Sequence, residues 1–193
     1  MKLLIKNGRI IDPSQNLDKV MDLLLADGKV AKLAEHITDA ADETYDASGK
    51  VVAPGFIDMH THMREPGLEA KESIRTGTMA AAAGGITTIA CMPNTKPAVS
   101  NSIVVTGIKA RAAEEGYANV EVIGSISKDQ KGTELAEMGD MLEKGAVAFS
   151  DDGHYVDSSR LLLNAARYIS NFGAPLISHS IESELNADGY MHE

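Results

Sequence analysis

A single cysteine, Cys91, stands in 193 residues. That excludes an intrachain disulfide framework and suits a reducing compartment. Tryptophan is missing and aromatic residues make up only 4%, too few for base-stacking platforms or an aromatic cage around a cation. Basic residues number 18 against 28 acidic ones, and the formal charge of −10 repels phosphate backbones and anionic headgroups. Neither nucleic acid nor a membrane is expected as a partner. Long apolar runs are lacking as well. Met1 to Ile11 offers only Leu3 to Ile5 before Asn7 and Gly8, short of a signal h-region. No stretch approaches the ~20 apolar residues of a membrane span, so a cytoplasmic protein is expected. What remains, 44% apolar and 24% charged residues, is the composition of a chain that folds into a globular body.

Residues 1–53 read as short strands and turns: Lys2 to Lys6, Gly8 to Ile11, Asp22 to Ala26, then Val30 to Leu33 after the hairpin signal Asp27-Gly28, and Val51 to Pro54. This is a small β module. From Pro54 the pattern changes to apolar strands alternating with helix-period segments, the signature of βα units and a parallel sheet. Strands are predicted at Gly55 to Met59, Ile86 to Cys91, Val120 to Gly124, Ala146 to Ser150 and Pro175 to Ser178. Between them lie four predicted helices: Ser73 to Ala83, one on Val104, Ile108 and Ala112, one on Leu135, Met138 and Leu142, and one on Leu162, Ala165, Ala166 and Ile169 with Asp157 as N-cap. Gly84-Gly85, Gly116, Gly145 and Gly173 end them. The expected class is α/β, the first half of a (β/α)8 TIM-like barrel preceded by a small β segment. A complete barrel takes ~250 residues, so residues 54–193 supply the first five βα units.

The strongest local signal is Asp58-Met59-His60-Thr61-His62, directly after a strand. Residues two apart on an extended chain face the same side, so His60 and His62 can present two imidazoles to one metal ion at the strand's C-terminal end, where barrel enzymes keep their sites. The competing reading is two ordinary histidines. Later strands also end in residues fit for chemistry: Met92-Pro93-Asn94-Thr95, Ser150-Asp151-Asp152-Gly153-His154 and Ser178-His179-Ser180. If the strands are parallel, these ends converge on one rim, and three histidines with a carboxylate form a donor set suited to zinc or a similar divalent ion. Either Asp151 or Asp152 serves in it, or both form a solvated turn. Arg64 has the fork that reads a substrate carboxylate. Asn94 serves the site or caps a turn after Pro93. Cys91 is expected to fill the barrel interior, His36 and His192 to lie at the surface, and His154 either to reach the rim or to face water.

Taken together, these segments resemble a known family. Pro54-Gly55-Phe56-Ile57-Asp58-Met59-His60-Thr61-His62-Met63-Arg64-Glu65-Pro66-Gly67 resembles the opening of the amidohydrolase superfamily, in the form carried by dihydroorotases of the longer bacterial type. Cys91-Met92-Pro93-Asn94-Thr95, Ala148-Phe149-Ser150-Asp151-Asp152-Gly153 and Ile177-Ser178-His179 are similar to that family's next signatures, in order. The resemblance implies a distorted TIM barrel beside a small β-sandwich, and reversible cyclisation of N-carbamoyl-L-aspartate to L-dihydroorotate in pyrimidine synthesis. It implies that His60 and His62 bind one zinc, His179 a second, and that Asp152 bridges or shares them. His62, Arg64 and Asn94 would contact the substrate. Zinc lowers the pKa of a bound water to ~7, so no Ser or Cys nucleophile is needed. Hydantoinase-like relatives carry a carbamylated lysine on the fourth strand, where this chain reads Ala146 to Ser150. The family's last metal histidine and its general-base aspartate fall on later strands, beyond Glu193. No catalytic base is therefore expected within these residues, and little turnover from them alone. Alternatives are an allantoinase- or hydantoinase-like cyclic amidohydrolase, or a non-catalytic dihydroorotase-like scaffold. A homo-oligomer, and association with aspartate transcarbamoylase, are the partner expectations.

Overall fold

Strand-forming residues dominate Met1–Gly55, the first of two units into which the chain divides; the computed structural model describes residues 1–181. Five strands make one sheet: β1 (Lys2–Asp12), β2 (Leu17–Ala26), β3 (Lys29–Ala34), β4 (Glu43–Asp46) and β5 (Val51–Val52). The order is β3-β2-β1-β4, with β5 also on β1; β1, β2 and β3 pair antiparallel, whereas β4 and β5 run parallel to β1. Asp27 and Gly28 both take positive φ, 52° and 76°, giving the tight turn that matches strand twist. Two features differ from the sequence reading. The two short runs expected at the start are one strand, because Asn7 at φ 58° forms a bulge and the register shifts between Ile5 and Gly8 without breaking the ladder. β4, with the fully exposed sequence Glu-Thr-Tyr-Asp, carries no apolar alternation that would announce it. Leu4, Leu24 and Ile37 form this unit's core.

The second unit, from Phe56 onward, alternates strand and helix: β6 (Phe56–Thr61), α1 (Ile74–Ala83), β7 (Ile86–Cys91), α2 (Ser102–Glu115), β8 (Asn119–Gly124), α3 (Met138–Glu143), β9 (Ala146–Ser150), α4 (Ser159–Ile169) and β10 (Leu176–Ile177). Every strand pair is parallel and the order is sequential, β10-β9-β8-β7-β6. A doubly wound sheet reverses its order at a switch point; a sequential one curls into a barrel wall, here the first half of one. Helix starts follow side-chain caps. Ser73 and Thr76 make a capping box for α1, and Asn101 accepts from the amides of Ile103 and Val104 for α2. The cap of α4 is Ser158, which accepts from Leu161 N–H at 3.2 Å, in place of the expected Asp157. Leu135 falls outside α3, in an isolated bridge with Ser127.

Period-two alternation sorts the strand residues onto two faces. Ile89, Cys91, Val122 and Phe149 pack against Val105, Ile108 and Met141 from the helices, while Ala90, Met92, Ile123 and Ala148 cluster on the opposite face. Each fully buried large side chain contributes ~1.5–3 kcal/mol. Cys91 thus lies in the layer between sheet and helices, a correction to its expected place in the barrel interior. The alternation counts from β7's own register, which puts Ala90 and Met92 inward. None of the helices among the described residues is long and apolar enough to cross a membrane.

Candidate metal centre

Parallel strands place all their C-terminal ends on one rim, and backbone hydrogen bonds tie successive loops of that rim together. Lys96 N–H donates to the Pro66 carbonyl (2.9 Å), and Ser125 N–H to the Val99 carbonyl (2.7 Å). On this frame His60 and His62, two residues apart at the end of β6, hold their rings 5.2 Å apart, centroid to centroid. Asp152, just past β9, meets both. Its Oδ1 lies 3.1 Å from His60 Nε2 and its Oδ2 3.6 Å from His62 Nε2. One donor atom from each residue falls within 4.8 Å of the others.

Two adjacent aspartates follow β9, and their partners divide the roles. Asp151 is 2% exposed and fully engaged. Its Oδ1 accepts from the amides of Ile126 (2.8 Å) and Ser127 (3.1 Å), and its Oδ2 from the Ser127 hydroxyl. It fastens the loop after β8 to the end of β9. Asp152 turns to the histidines instead, while its backbone carbonyl accepts from Gln130 Nε2 at 3.1 Å. Gln130 and Ser127 were not singled out from sequence. They sit in an irregular loop, with Asp129 and Gln130 at positive φ, and nothing in periodicity marks such residues.

Asn94, in the loop after β7, stands between two members of the cluster, its Oδ1 3.0 Å from His62 Nδ1 and its Nδ2 3.4 Å from Asp152 Oδ2. Arg64 is half-buried at φ 59°, its carbonyl accepting from Leu68 N–H, and it makes no ion pair among the described residues. His179 is not brought into the three-donor group. Its Nδ1 is buried with no hydrogen-bond partner among the described residues. His154 is exposed, its amide closing a turn on the Asp151 carbonyl at 2.8 Å. His36 is exposed, and His192 lies outside the described residues. Cys91 is no nucleophile: burial pushes its thiol up to about 11.

The donor set fits a divalent cation on its own chemistry. A carboxylate with 6% side-chain exposure needs a positive partner, and among the described residues the only groups meeting it that can carry positive charge are His60 and His62. A neutral imidazole nitrogen and a carboxylate oxygen both bear lone pairs, so His60 Nε2 and Asp152 Oδ1 at 3.1 Å repel unless a proton or a cation sits between them. Two histidines and one carboxylate are the three-ligand set of catalytic zinc sites, which leave a position open for water or substrate. His60, about half exposed, puts that opening toward solvent.

Comparison with known proteins places these residues in a family. Residues 49–193 match the dihydro-orotase-like family model. The chain is 51% identical over 193 residues to a dihydroorotase of Pelotomaculum thermopropionicum and 50% identical over 194 residues to one of Geobacter sulfurreducens. All of this chain is covered in both cases, but only 45% and 46% of those proteins, so it spans less than half the length of the curated relatives it matches. Among solved structures, the L-hydantoinase (dihydropyrimidinase) from Arthrobacter aurescens is similar with a TM-score of 0.80 and 26% identity, over 92% of this chain and 40% of that one. Its four rim motifs, its sequential parallel sheet and the matched family model together show that the chain belongs to the dihydro-orotase-like family.

Proposed function

We propose that these residues are the N-terminal part of a metal-dependent cyclic amidohydrolase that interconverts L-dihydroorotate and N-carbamoyl-L-aspartate, with zinc as the metal, and that they turn over little by themselves. The observation that carries this reading is the convergence of His60, His62 and Asp152 within 4.8 Å at the C-terminal rim of the sheet. A divalent cation, when bound there, supplies Lewis acidity, making water nucleophilic near neutral pH and polarising the amide carbonyl. The chain's own residues do the rest. His60 and His62 offer neutral nitrogens, and Asp152 offers negative charge from a nearly dry position. His179, whose buried Nδ1 has no hydrogen-bond partner among the described residues, is assigned to a second ion. A protein carrying −10 repels an anionic substrate at long range, so a local cation has to capture the carboxylate. Arg64 is given that task, and Asn94 and His62 are given contacts to the substrate as well. Exchange of Arg64→Lys replaces a bidentate fork by a point charge and should raise KM roughly tenfold, the ~1.4 kcal/mol scale of one charge-assisted hydrogen bond, with kcat nearly kept. An unchanged KM would remove Arg64 from the substrate.

A second reading, a hydantoinase-like enzyme, is favoured by the fold similarity to the Arthrobacter protein. Against it, β9 reads Ala146-Val147-Ala148-Phe149-Ser150 and offers no lysine for a carbamylated bridge. Metal analysis of the natural gene product, with turnover measured on dihydroorotate, hydantoin and allantoin in parallel, decides. Zinc with selective dihydroorotate turnover supports the proposal, hydantoin preference supports the second reading, and metal without turnover on any of them supports a scaffold. Self-association, and complex formation with aspartate transcarbamoylase, are tested in the same preparation by sedimentation.

A further inference from the structure

We propose that Asn94 is a positioning residue that sets the tautomer of His62 and thereby aims the His62 Nε2 lone pair at the cation site. This rests on the reading of His60, His62 and Asp152 as cation donors. The argument runs outward from Asp152, whose carboxylate can only accept. Asn94 presents one end of its amide to Asp152 Oδ2 at 3.4 Å and the other to His62 Nδ1 at 3.0 Å. At 3.4 Å the first contact is long for a hydrogen bond, but its sign is decisive. With the amide reversed, a carbonyl oxygen would face a carboxylate oxygen in a nearly dry position, and two acceptors repel. The NH2 group therefore faces Asp152, which leaves Oδ1 toward His62. An amide oxygen needs a donor, so His62 Nδ1, at 3.0 Å, carries the proton, and Nε2, too far from Asp152 Oδ2 at 3.6 Å to hydrogen-bond to it, carries the lone pair. A carboxylate just past β9 thus dictates, through an amide on the loop after β7, which nitrogen of the histidine just past β6 is free to ligate.

His60 has no such relay. Its ring is about half exposed, and Nε2 to Asp152 is its one side-chain polar contact among the described residues. The two histidines of the pair are therefore unequal: His62 is held through Nδ1 before any cation arrives, whereas His60 is held at Nε2.

Nitrogen-15 NMR of the metal-free natural gene product, recorded above the pH at which the spectrum itself shows the ring to have lost its charge, reads the tautomer of His62 directly. Nδ1–H is expected in the native protein and in Asn94→Asp, which keeps an acceptor at that place. Asn94→Ala should shift His62 toward Nε2–H. In a competition titration without substrate, Asn94→Ala should also weaken zinc about 10–100-fold, the usual scale for losing the partner of a ligating histidine. Nε2–H in the native protein, or an unmoved tautomer and zinc affinity in Asn94→Ala, would overturn the proposal, since a purely substrate-binding asparagine leaves both unchanged. Should Asn94→Ala fail to fold, the native and Asn94→Asp spectra still decide. A native protein that takes up no zinc refutes the metal reading separately, because the tautomer measurement uses no metal.

Discussion

Replacing Asp151 tests whether the rim is held by hydrogen-bond count or by charge. Its carboxylate, 2% exposed, accepts from two buried backbone amides and one hydroxyl of the Ile126-Ser127 segment. In Asp151→Ala both amides lose their acceptor where water cannot replace it, and at ~1–3 kcal/mol for each stranded donor the loss is about 4 kcal/mol. That is a large part of the ~5–15 kcal/mol by which a domain is stable. Asp151→Asn differs in one atom. Both backbone amides bond to Oδ1, so an asparagine carbonyl keeps them, and its NH2 can donate to the Ser127 hydroxyl oxygen. Only charge assistance and one hydroxyl proton's partner are lost, about 1–1.5 kcal/mol. Equilibrium urea unfolding, followed by circular dichroism with an unchanged m-value, measures both. Equal losses in the two variants, or a loss below about 1 kcal/mol for alanine, would refute this account of how Asp151 works.

Three further outcomes are expected. His60→Ala combined with His62→Ala removes two of three donors and should abolish metal loading at that site, with activity falling by orders of magnitude; unchanged zinc content by elemental analysis would overturn the ligand assignment. At Asp22, burial alone would raise the carboxyl, but the amides of Asn7 and Ile37, with the charges of Lys6 and His36, outweigh it and hold it below the usual carboxylate range. Because the folded value is the lower one, this stabilisation is present above the unfolded value of ~3.9 and lost as pH falls through the folded value. Asp22→Asn should therefore flatten the acid limb of the stability–pH curve, and an unaltered limb would count against it. Cys91, buried and pushed up to about 11, should resist thiol reagents in the native protein and react on unfolding; rapid native labelling would place it elsewhere.

Much of this was legible in the chain itself. Strands β6 to β9 and the helices between them follow from apolar runs and glycine stops, because the period of the pattern is a local property. Where side chains carry no such period, legibility ends. β4 has no apolar face to betray it, and the bulge at Asn7 hides one strand as two. Asp157 and Ser158 are equally good caps on paper; which one reaches the Leu161 amide depends on backbone angles set by the preceding turn. The His60-x-His62 spacing, set at a strand end with other site-forming residues at later strand ends, pointed to a metal, whereas the loop after β8, with Ser127 and Gln130, gave no sign that it braces the aspartate pair.

Residue order by itself determined that a parallel α/β sheet forms and that two histidines and an Asp-Asp pair fall at strand ends, since both depend only on neighbours along the chain. It could not tell Asp151 from Asp152. Tertiary structure decided that, because the amides of Ile126 and Ser127 claim the first carboxylate and leave the second facing two imidazoles. The physical reason is that hydrogen-bond satisfaction in a buried place is settled by atoms some 24 or 25 residues away, a distance no local pattern records.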